Sequence, residues 1–272
     1  MHHPFPVYLG ITLDRTLSFK EDVTKHKGKL ESQTSLLSKL TSTKWGADPK
    51  TLRQTALALC NSTGEYCAPV WARSCLAHKI DAELNKAYRI ITGALKPTPL
   101  PALYRITGIP PPYIRRKTIT KFERHKQLND PRHSLFGHQE VRQILKSRKS
   151  FTTVEVTDPS QAASHRRECW QEYDNGQHNE ALPDPEEKLP PGSNLKRKEW
   201  ATLNRARAKV GKTKDNLHKW GLDTSPNCQC GETHTMKHIL LECRLGPHCS
   251  DKDLKDANDT ALIWVKFWCD KL

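Results

Sequence analysis

Three cysteines and one histidine near the carboxyl end constrain this chain more than any other feature. Cys228, Cys230, His238 and Cys243 fall within sixteen positions, in the pattern C-x-C, seven residues, H, four residues, C. Three thiolates and one imidazole complete a tetrahedral ligand set that Zn²⁺ takes readily. Gly231 follows the second cysteine, where a tight ligand loop often requires a positive φ. The pattern therefore predicts a structural zinc site that joins a loop to a short helix at residues 236–243.

The same spacing leaves alternatives open. The C-x-C pair is tighter than the C-x₂₋₄-C spacing common in zinc sites, so these residues could instead be ordinary reduced cysteines beside a small helix. His234, His248 and Cys249 also lie close enough in sequence for any of them to replace one of the four ligands.

The charge of the chain predicts its class of partner. The 272 residues carry a net charge of +14, with 36% hydrophobic and 27% charged residues. Positive charges in such excess repel one another in a compact fold, so they usually indicate that the protein binds a polyanionic partner. RNA or DNA is the first candidate and an anionic membrane surface the second. No apolar run approaches the about 18 residues that are needed to cross a bilayer.

Cysteine usage predicts the compartment. The chain has nine cysteines, an odd number, and its first residues lack the apolar core of a signal peptide. Both features favour a reducing, intracellular compartment, nuclear or cytoplasmic, in which the clustered cysteines bind metal rather than form disulfides.

Helical spacing of apolar residues predicts a mainly α fold. The β-branched and aromatic segment 6–14 predicts a short strand in an N-terminal hairpin. Either its partner lies in residues 17–19, or its natural partner strands are missing from this chain. Residues 21–128 are expected to form a helical bundle. Its helices are expected at about residues 21–45, from Pro49 onward, 79–92, 99–107 and 113–128.

The rest of the chain is expected to divide into three further segments. Residues 129–194 are interpreted as a connector that is first basic and then acidic and proline-rich, ending in a flexible linker. Residues 195–250 would form a basic helix over residues 196–220 and the zinc module. We expect Trp200 and Trp220 to be core residues; the alternative, stacking on an unpaired base, has no further support in the sequence. Residues 251–272 would form a C-terminal amphipathic helix.

Two basic stretches are the candidate nucleic-acid contacts. Residues 115–149 contain eleven basic residues against three acidic ones, and residues 196–220 contain nine against two. Because nearly all the charges in each stretch are positive, we expect these side chains to face phosphates rather than to form an ordinary solvated surface. The candidate nucleic-acid-binding residues are Arg115, Arg116, Lys117, Lys121, Arg124, Lys196, Arg197, Lys198, Arg205, Arg207 and Lys209.

No catalytic site is predicted. The segment Gly211-Lys212-Thr213 resembles the end of a phosphate-binding loop, but Ala206 stands where that loop requires glycine. An aspartate pair of the kind that holds two Mg²⁺ ions is also lacking in the sequence. We therefore expect that the isolated chain is not an enzyme.

Four motifs in collinear order resemble the carboxyl-terminal part of a Jockey-like non-LTR retrotransposon reverse transcriptase. The hairpin that ends the polymerase palm is resembled by residues 8–14 and 17–19, and the thumb by residues 45–47, 52–53, 65–71, 89–93 and 109–112. The terminal zinc module is resembled by residues 203–207, 217–222 and the Cys/His cluster.

The resemblance implies the following organisation and roles. Residues 1–20 would be a palm remnant, residues 21–128 a thumb-like domain, and Cys228, Cys230, His238 and Cys243 the zinc ligands. The family's catalytic aspartates precede the palm hairpin, so no catalytic residue is carried over to this sequence. The implied function is a nucleic-acid-binding fragment of an RNA-directed DNA polymerase, which grips template and primer or target DNA.

Two alternatives accompany this hypothesis. A domesticated zinc-containing module could bind a protein partner, which the apolar residues 262–268 suggest. A degenerate fragment could also fail to fold without the palm domain that precedes it in the parent.

Overall fold

The computed structural model describes residues 5–41, 46–138, 154–174, 182–185 and 188–272. Trp45 and part of the predicted connector lie outside the described residues, and so do Arg142, Lys146, Arg148 and Lys149 of the first basic stretch. The described chain is mainly helical with one short antiparallel hairpin, which confirms these parts of the predicted fold class. None of its helices is both long and apolar enough to cross a membrane.

The elements of the described chain follow one another in a simple order. The strands are β1 (Val7–Tyr8) and β2 (Ile11–Thr12). The helices of the first half are α1 (Lys20–Lys39), α2 (Pro49–Ala56) followed by a π-helical turn (Leu57–Asn61), α3 (Ser62–Glu65), α4 (Ala68–Trp71), α5 (His78–Thr92), α6 (Leu100–Thr107) and α7 (Pro112–Asn129). The helices of the second half are a 3₁₀ turn (Pro159–Gln161), α8 (Ala162–Asp174), α9 (Arg197–Arg207), α10 (Lys214–Lys219), α11 (Met236–Leu241), α12 (Asp251–Asp256) and α13 (Asp259–Trp268).

The N-terminal hairpin differs from the prediction in where the chain turns. Tyr8 pairs with Ile11 across a turn at Leu9 and Gly10, both of which have positive φ. The predicted single strand is therefore itself the hairpin. Leu17 and Phe19, in the expected partner segment, have φ of 51° and 58°, a conformation that a strand does not contain.

The chain folds into two compact units, each built from separate stretches of sequence. The first unit comprises residues 1–35, 57–85 and 110–177, and the second comprises residues 36–56, 86–109 and 178–272. These boundaries cut across the successive segments expected from the sequence, because helices distant along the chain pack within one unit.

The first unit is centred on Trp71, which is fully buried. The guanidinium of Arg116 lies 5.3 Å from the centre of the Trp71 ring, and the ring of His26 stacks at 6.3 Å. Helix α7 packs against both α4 and α8. Helix α8 falls in the predicted connector and was not expected. Cys169 and Trp170 are buried on one of its faces and form a short apolar patch among charged and polar residues.

The second unit has an apolar core of its own around α9. Trp200, Leu203 and Ala206 line one face of that helix, and α12 and α13 pack against it. The core of this unit consists of Ala102, Ile106, Leu182, Trp200, Leu203, Ala206, Ala208, Cys228, Met236, Ile239, Leu240, Cys243, Cys249, Leu254, Ala261, Trp264, Val265, Trp268 and Leu272. The indole nitrogen of Trp264 donates to the carbonyl of Ile239 at 3.0 Å, which ties α13 to α11.

Three expectations for the second unit need correction. Trp200 is buried as predicted, but Trp220 is 41% exposed and is not a core residue. The basic helix ends at Arg207 rather than continuing to residue 220, because Lys209 has a φ of 55°. The described part of the predicted flexible linker is packed: Leu182 is buried, and Asp184 forms an ion pair with Arg105 at 3.3 Å.

The segment 251–272 forms two helices, α12 and α13, rather than the single amphipathic helix expected, and α13 is the amphipathic one. Trp264, Val265 and Trp268 of α13 are buried in the second unit, while Ile263 and Phe267 remain exposed. Part of the apolar surface that suggested a protein-interaction module is therefore covered by the chain itself.

Candidate metal centre

The two cysteines of the C-x-C pair lie in a tight turn. The amide of Gly231 donates to the carbonyl of Cys228 at 3.0 Å, and the amide of Cys228 donates to the carbonyl of Glu232 at 2.7 Å. Asn227 and Thr233 form an antiparallel bridge that closes the loop. Gly231 has a φ of 98° with open space where a Cβ would lie, so the glycine is required by the backbone conformation and not by a close neighbour.

The other two candidate ligands are placed by helix α11. Thr235 caps this helix, since its hydroxyl accepts a hydrogen bond from the amide of His238 at 3.1 Å. Cys243 lies just beyond the C-terminal end, where its amide donates to the carbonyl of His238 at 2.8 Å. The side chain of His238 is buried, so its ring is held inside the module.

The loop and the helix bring the four ligand atoms together. The sulfurs of Cys228 and Cys243 are 3.7 Å apart, and the sulfur of Cys230 lies 3.1 Å from Nε2 of His238. All four ligand atoms lie within 4.8 Å of one another. A sulfur separation of 3.7 Å excludes a disulfide, whose bond is about 2.05 Å long. The cluster contains the four predicted residues and could bind a metal ion.

The protonation of two of these thiols is shifted in opposite directions. Burial acts to raise the pKa of Cys228, but hydrogen bonds from the backbone of Cys230 and from the side chains of His238, Cys230 and Cys243 together lower that pKa to about 7. Burial raises the pKa of Cys243. A thiol with a lowered pKa supplies the thiolate that a metal requires, which makes Cys228 the most readily ionised of this pair.

A carboxylate that the sequence reasoning missed lies behind His238. Nδ1 of His238 is 3.9 Å from the carboxylate of Glu242, beyond hydrogen-bond length but within ion-pair range. Ligating histidines commonly direct their second nitrogen at such a carboxylate, which orients the ring. The signal in the sequence was the spacing of the two residues, one helical turn apart.

The three alternative ligands have other partners. Nδ1 of His234 accepts a hydrogen bond from the amide of Lys214 at 2.9 Å, and burial lowers the pKa of this histidine. Nε2 of His248 lies 3.0 Å from the carbonyl of Cys243. Burial raises the pKa of Cys249 to about 12, which disfavours the thiolate that a metal needs. The predicted ligand set is therefore also the one that the geometry favours.

Several candidate nucleic-acid contacts of the first unit are buried. Arg116 forms an ion pair with Asp81 at 2.5 Å, and Lys121 forms one with Glu155 at 3.0 Å. The side chain of Arg124 is also buried. Burial removes Arg116, Lys121 and Arg124 from the exposed phosphate-facing surface that the charge count predicted.

Arg115 and Lys117, on the other faces of α7, are more accessible. Arg115 is half-buried and donates to both carboxylate oxygens of Glu65, at 2.5 and 3.1 Å. Lys117 is exposed, with its ammonium 3.5 Å from the sulfur of Cys169. Among the five candidates of the first unit, Lys117 is the side chain best placed to reach a phosphate.

The candidate nucleic-acid contacts of the second unit also include both buried and exposed side chains. Arg207 is fully buried and donates to the carbonyls of Leu254 and Pro191, both at 2.8 Å, so it holds the unit together rather than facing solvent. Arg197 and Arg205 are half-buried. The exposed lysines are Lys196, Lys198 and Lys209, of which Lys198 pairs with Asp270 and Lys209 with Asp251.

Comparison with known proteins identified no relative of this chain. No family model, no curated protein and no solved structure matches this chain. The assignment of the chain therefore depends on its own motifs and on the geometry of the metal centre.

Proposed function

We propose that this chain is a zinc-stabilised, nucleic-acid-binding fragment of a Jockey-like non-LTR retrotransposon reverse transcriptase. Its role would be to grip template and primer or target DNA, while a palm domain in the parent protein forms the bonds. The observation that carries the proposal is the convergence of Cys228, Cys230, His238 and Cys243, the ligand set that the family resemblance implies, in a strongly basic chain.

The separations in the cluster support zinc as the metal. Two sulfurs on a tetrahedral Zn²⁺, each with a bond of about 2.3 Å, lie about 3.8 Å apart, and a sulfur and a nitrogen lie about 3.6 Å apart. The sulfurs of Cys228 and Cys243 are 3.7 Å apart, while the separation of 3.1 Å between Cys230 and His238 is shorter than that ideal. Three thiols and an imidazole also suit zinc better than the hard cations Mg²⁺ and Ca²⁺.

Four protein ligands make this a structural site. A catalytic zinc keeps one position open for water or substrate, whereas a set of three cysteines and one histidine fills a tetrahedron. The ion would fasten the loop of Cys228 and Cys230 to helix α11, and so stabilise a module with a small core.

The net charge of +14 supports nucleic acid as the partner. Exposed lysines such as Lys117, Lys196 and Lys212 can release counterions from phosphates, which gives binding with weak sequence preference.

A salt titration tests this proposal. We expect a labelled oligonucleotide to bind the purified chain with an affinity that falls steeply and log-linearly between roughly 50 and 200 mM salt. Random and fixed sequences should bind equally well. An affinity that does not change with salt would contradict the proposal, and nuclease-resistant pull-down of a protein would favour the interaction-module alternative.

A polymerase assay tests the expected absence of chemistry. We expect no nucleotide incorporation on a primed template with Mg²⁺ or Mn²⁺, since the aspartates that hold these ions belong to the upstream palm of the family. Incorporation by the purified chain would contradict this expectation.

A further inference from the structure

A cationic pocket lies in the second unit, apart from the metal centre. Its volume is about 470 Å³, and Gly93 and Leu217 form part of its wall. Five cationic side chains line it, and we call this cavity the arginine pocket. These side chains are Arg197, Lys198, Arg205, Lys212 and Lys271.

The two arginines of the pocket bind main-chain oxygens. Arg197 donates to the last carbonyls of α5, which have no partner within that helix. Arg205 donates to the carbonyl of Gly93 at 3.1 Å and to an oxygen of the Leu272 α-carboxylate at 3.0 Å. Within the described part of the chain, neither guanidinium has a side-chain carboxylate as a partner. Burial, and secondarily the positive charge of Arg205, lower the pKa of Arg197 to about 10.

Lys212 and Lys271 add positive charge to the lining of the pocket. Lys212 is exposed and makes no ion pair within the described residues, and the ammonium of Lys271 lies 3.6 Å above the ring of Phe267. The acid that lines the same cavity, Asp270, pairs with Lys198. Positive charge in the pocket therefore exceeds negative charge, and a bound anion would offset the cost of bringing these cations together.

An aromatic cleft lies beside the arginine pocket. Its volume is about 640 Å³, and it is lined by residues 95–97 and by Trp220, which is 41% exposed. Residues 95–97 begin two positions after Gly93, and Trp220 follows Leu217 by about one helical turn. Because Gly93 and Leu217 line the arginine pocket, the same two chain segments border both cavities.

We propose that the arginine pocket and the aromatic cleft together bind one nucleotide unit of an unpaired strand. The phosphate lies against Arg197, Arg205 and Lys212, and the base stacks on Trp220. A base must be free of its stacked neighbours to present its face to an indole, so this arrangement selects single-stranded over double-stranded nucleic acid. The inference rests on the proposed function and specifies its substrate class.

The test uses the full zinc-loaded chain and a labelled homopyrimidine strand of about 12 nucleotides, a length within the range of single-strand binding sites. A duplex of the same length is the comparison ligand. Trp220→Ala and Lys212→Glu are the test variants. Leu222→Ala, an exposed apolar residue of the same loop, and Lys252→Glu, an exposed lysine of α12, are their matched controls.

The two test variants should weaken binding with different effects on its salt dependence. Trp220→Ala should weaken binding of the single strand about tenfold while leaving the salt dependence unchanged, because a stacking contact releases no counterions. Trp220→Phe should retain most of the affinity. Lys212→Glu should weaken binding and lower the slope of log affinity against log salt by at least about 0.7, the value for one lost phosphate contact on a single strand.

The outcomes separate this inference from the proposed function. If the parent chain binds the strand with strong salt dependence, but both test variants bind as well as their controls, the site is wrong and the proposed function stands. Equal affinity for duplex and single strand would also overturn the site. If the parent chain binds neither ligand, the proposed function fails and this inference fails with it. Zinc content and thermal unfolding of each variant establish that it is folded.

Discussion

The sulfur of Cys228 lies 3.7 Å from the sulfur of Cys243, although fifteen positions separate the two residues in the chain. The contact joins a loop to the end of a short helix, and it brings together two groups that repel each other once both are thiolates. A cation between them removes that repulsion and lowers both thiol pKa values. Metal binding and folding of this module should therefore be coupled.

The first prediction concerns metal content. We expect about one zinc ion per chain in the purified protein, as for a structural site with four protein ligands. Cys228→Ser and His238→Ala should both lose the metal and lower the melting temperature. Cys75→Ser, which removes an exposed free thiol of the first unit, should do neither. Elemental analysis and calorimetry measure both effects, and a folded parent chain without zinc would refute the metal centre.

The second prediction distinguishes buried from exposed basic residues on α7. Arg116→Ala should lower the free energy of unfolding by about 2–4 kcal/mol, because it leaves Asp81 without its buried partner and uncovers Trp71. Lys117→Ala, the exposed neighbour, should change the free energy of unfolding by less than about 0.5 kcal/mol. Urea unfolding measures both values.

A double variant gives the control for this ion pair. Removing Asp81 together with Arg116 should restore part of the lost stability, because no uncompensated charge then remains. Equal stability of Arg116→Ala and Lys117→Ala would show that the ion pair does not form in solution.

The third prediction compares two glycines with nearly the same backbone conformation. Gly93 and Gly221 have φ of 69° and 71°, but a Cβ on Gly93 would lie 2.4 Å from the Cβ of Ala201, while one on Gly221 would meet open space. Gly221→Ala should therefore cost about 1–2 kcal/mol from backbone strain alone. Gly93→Ala should cost more than about 3 kcal/mol, because α9 must also move away. Denaturant unfolding of the two variants should rank them in this order, and the reverse order would contradict the packing of α9 on the end of α5.

The fourth prediction concerns pH. Burial acts to raise the pKa of Asp14, but hydrogen bonds from the amide and hydroxyl of Ser18 and from the hydroxyl of Thr16 hold that pKa far below its ordinary value. Since the folded pKa is depressed, this stabilisation is fully present above about pH 4 and is lost as the pH falls further.

Asp14→Asn tests this pH dependence, because asparagine keeps the shape of the side chain and removes the charge. The variant should melt at a lower temperature than the parent at pH 7, and the difference should shrink as the pH falls below about 4. A difference that stays constant across this range would show that the charge of Asp14 does not stabilise the turn at residues 14–18.

Much of the local structure could be predicted from the sequence. The predicted helices at 79–92, 99–107 and 113–128 correspond to α5, α6 and α7 with ends within two residues, because apolar periodicity and flanking Pro and Gly residues mark helices locally. Helix α8 was missed because its apolar patch, Cys169 and Trp170, is too short to show a period. The hairpin was misplaced because its turn at Leu9 and Gly10 carries no proline or asparagine signal.

The candidate metal ligands could be identified from the sequence alone, since Cys228, Cys230, His238 and Cys243 lie within sixteen residues and their geometry depends on one turn and one capped helix. The roles of the basic residues were decided only by the tertiary structure. Charge is a property of each residue, but burial depends on neighbours far away in the chain: Arg207 is enclosed by carbonyls of residues 191 and 254, while Trp220 is left at the surface. A charge count therefore predicts that a polyanion binds, and only the packing shows which side chains remain free to meet it.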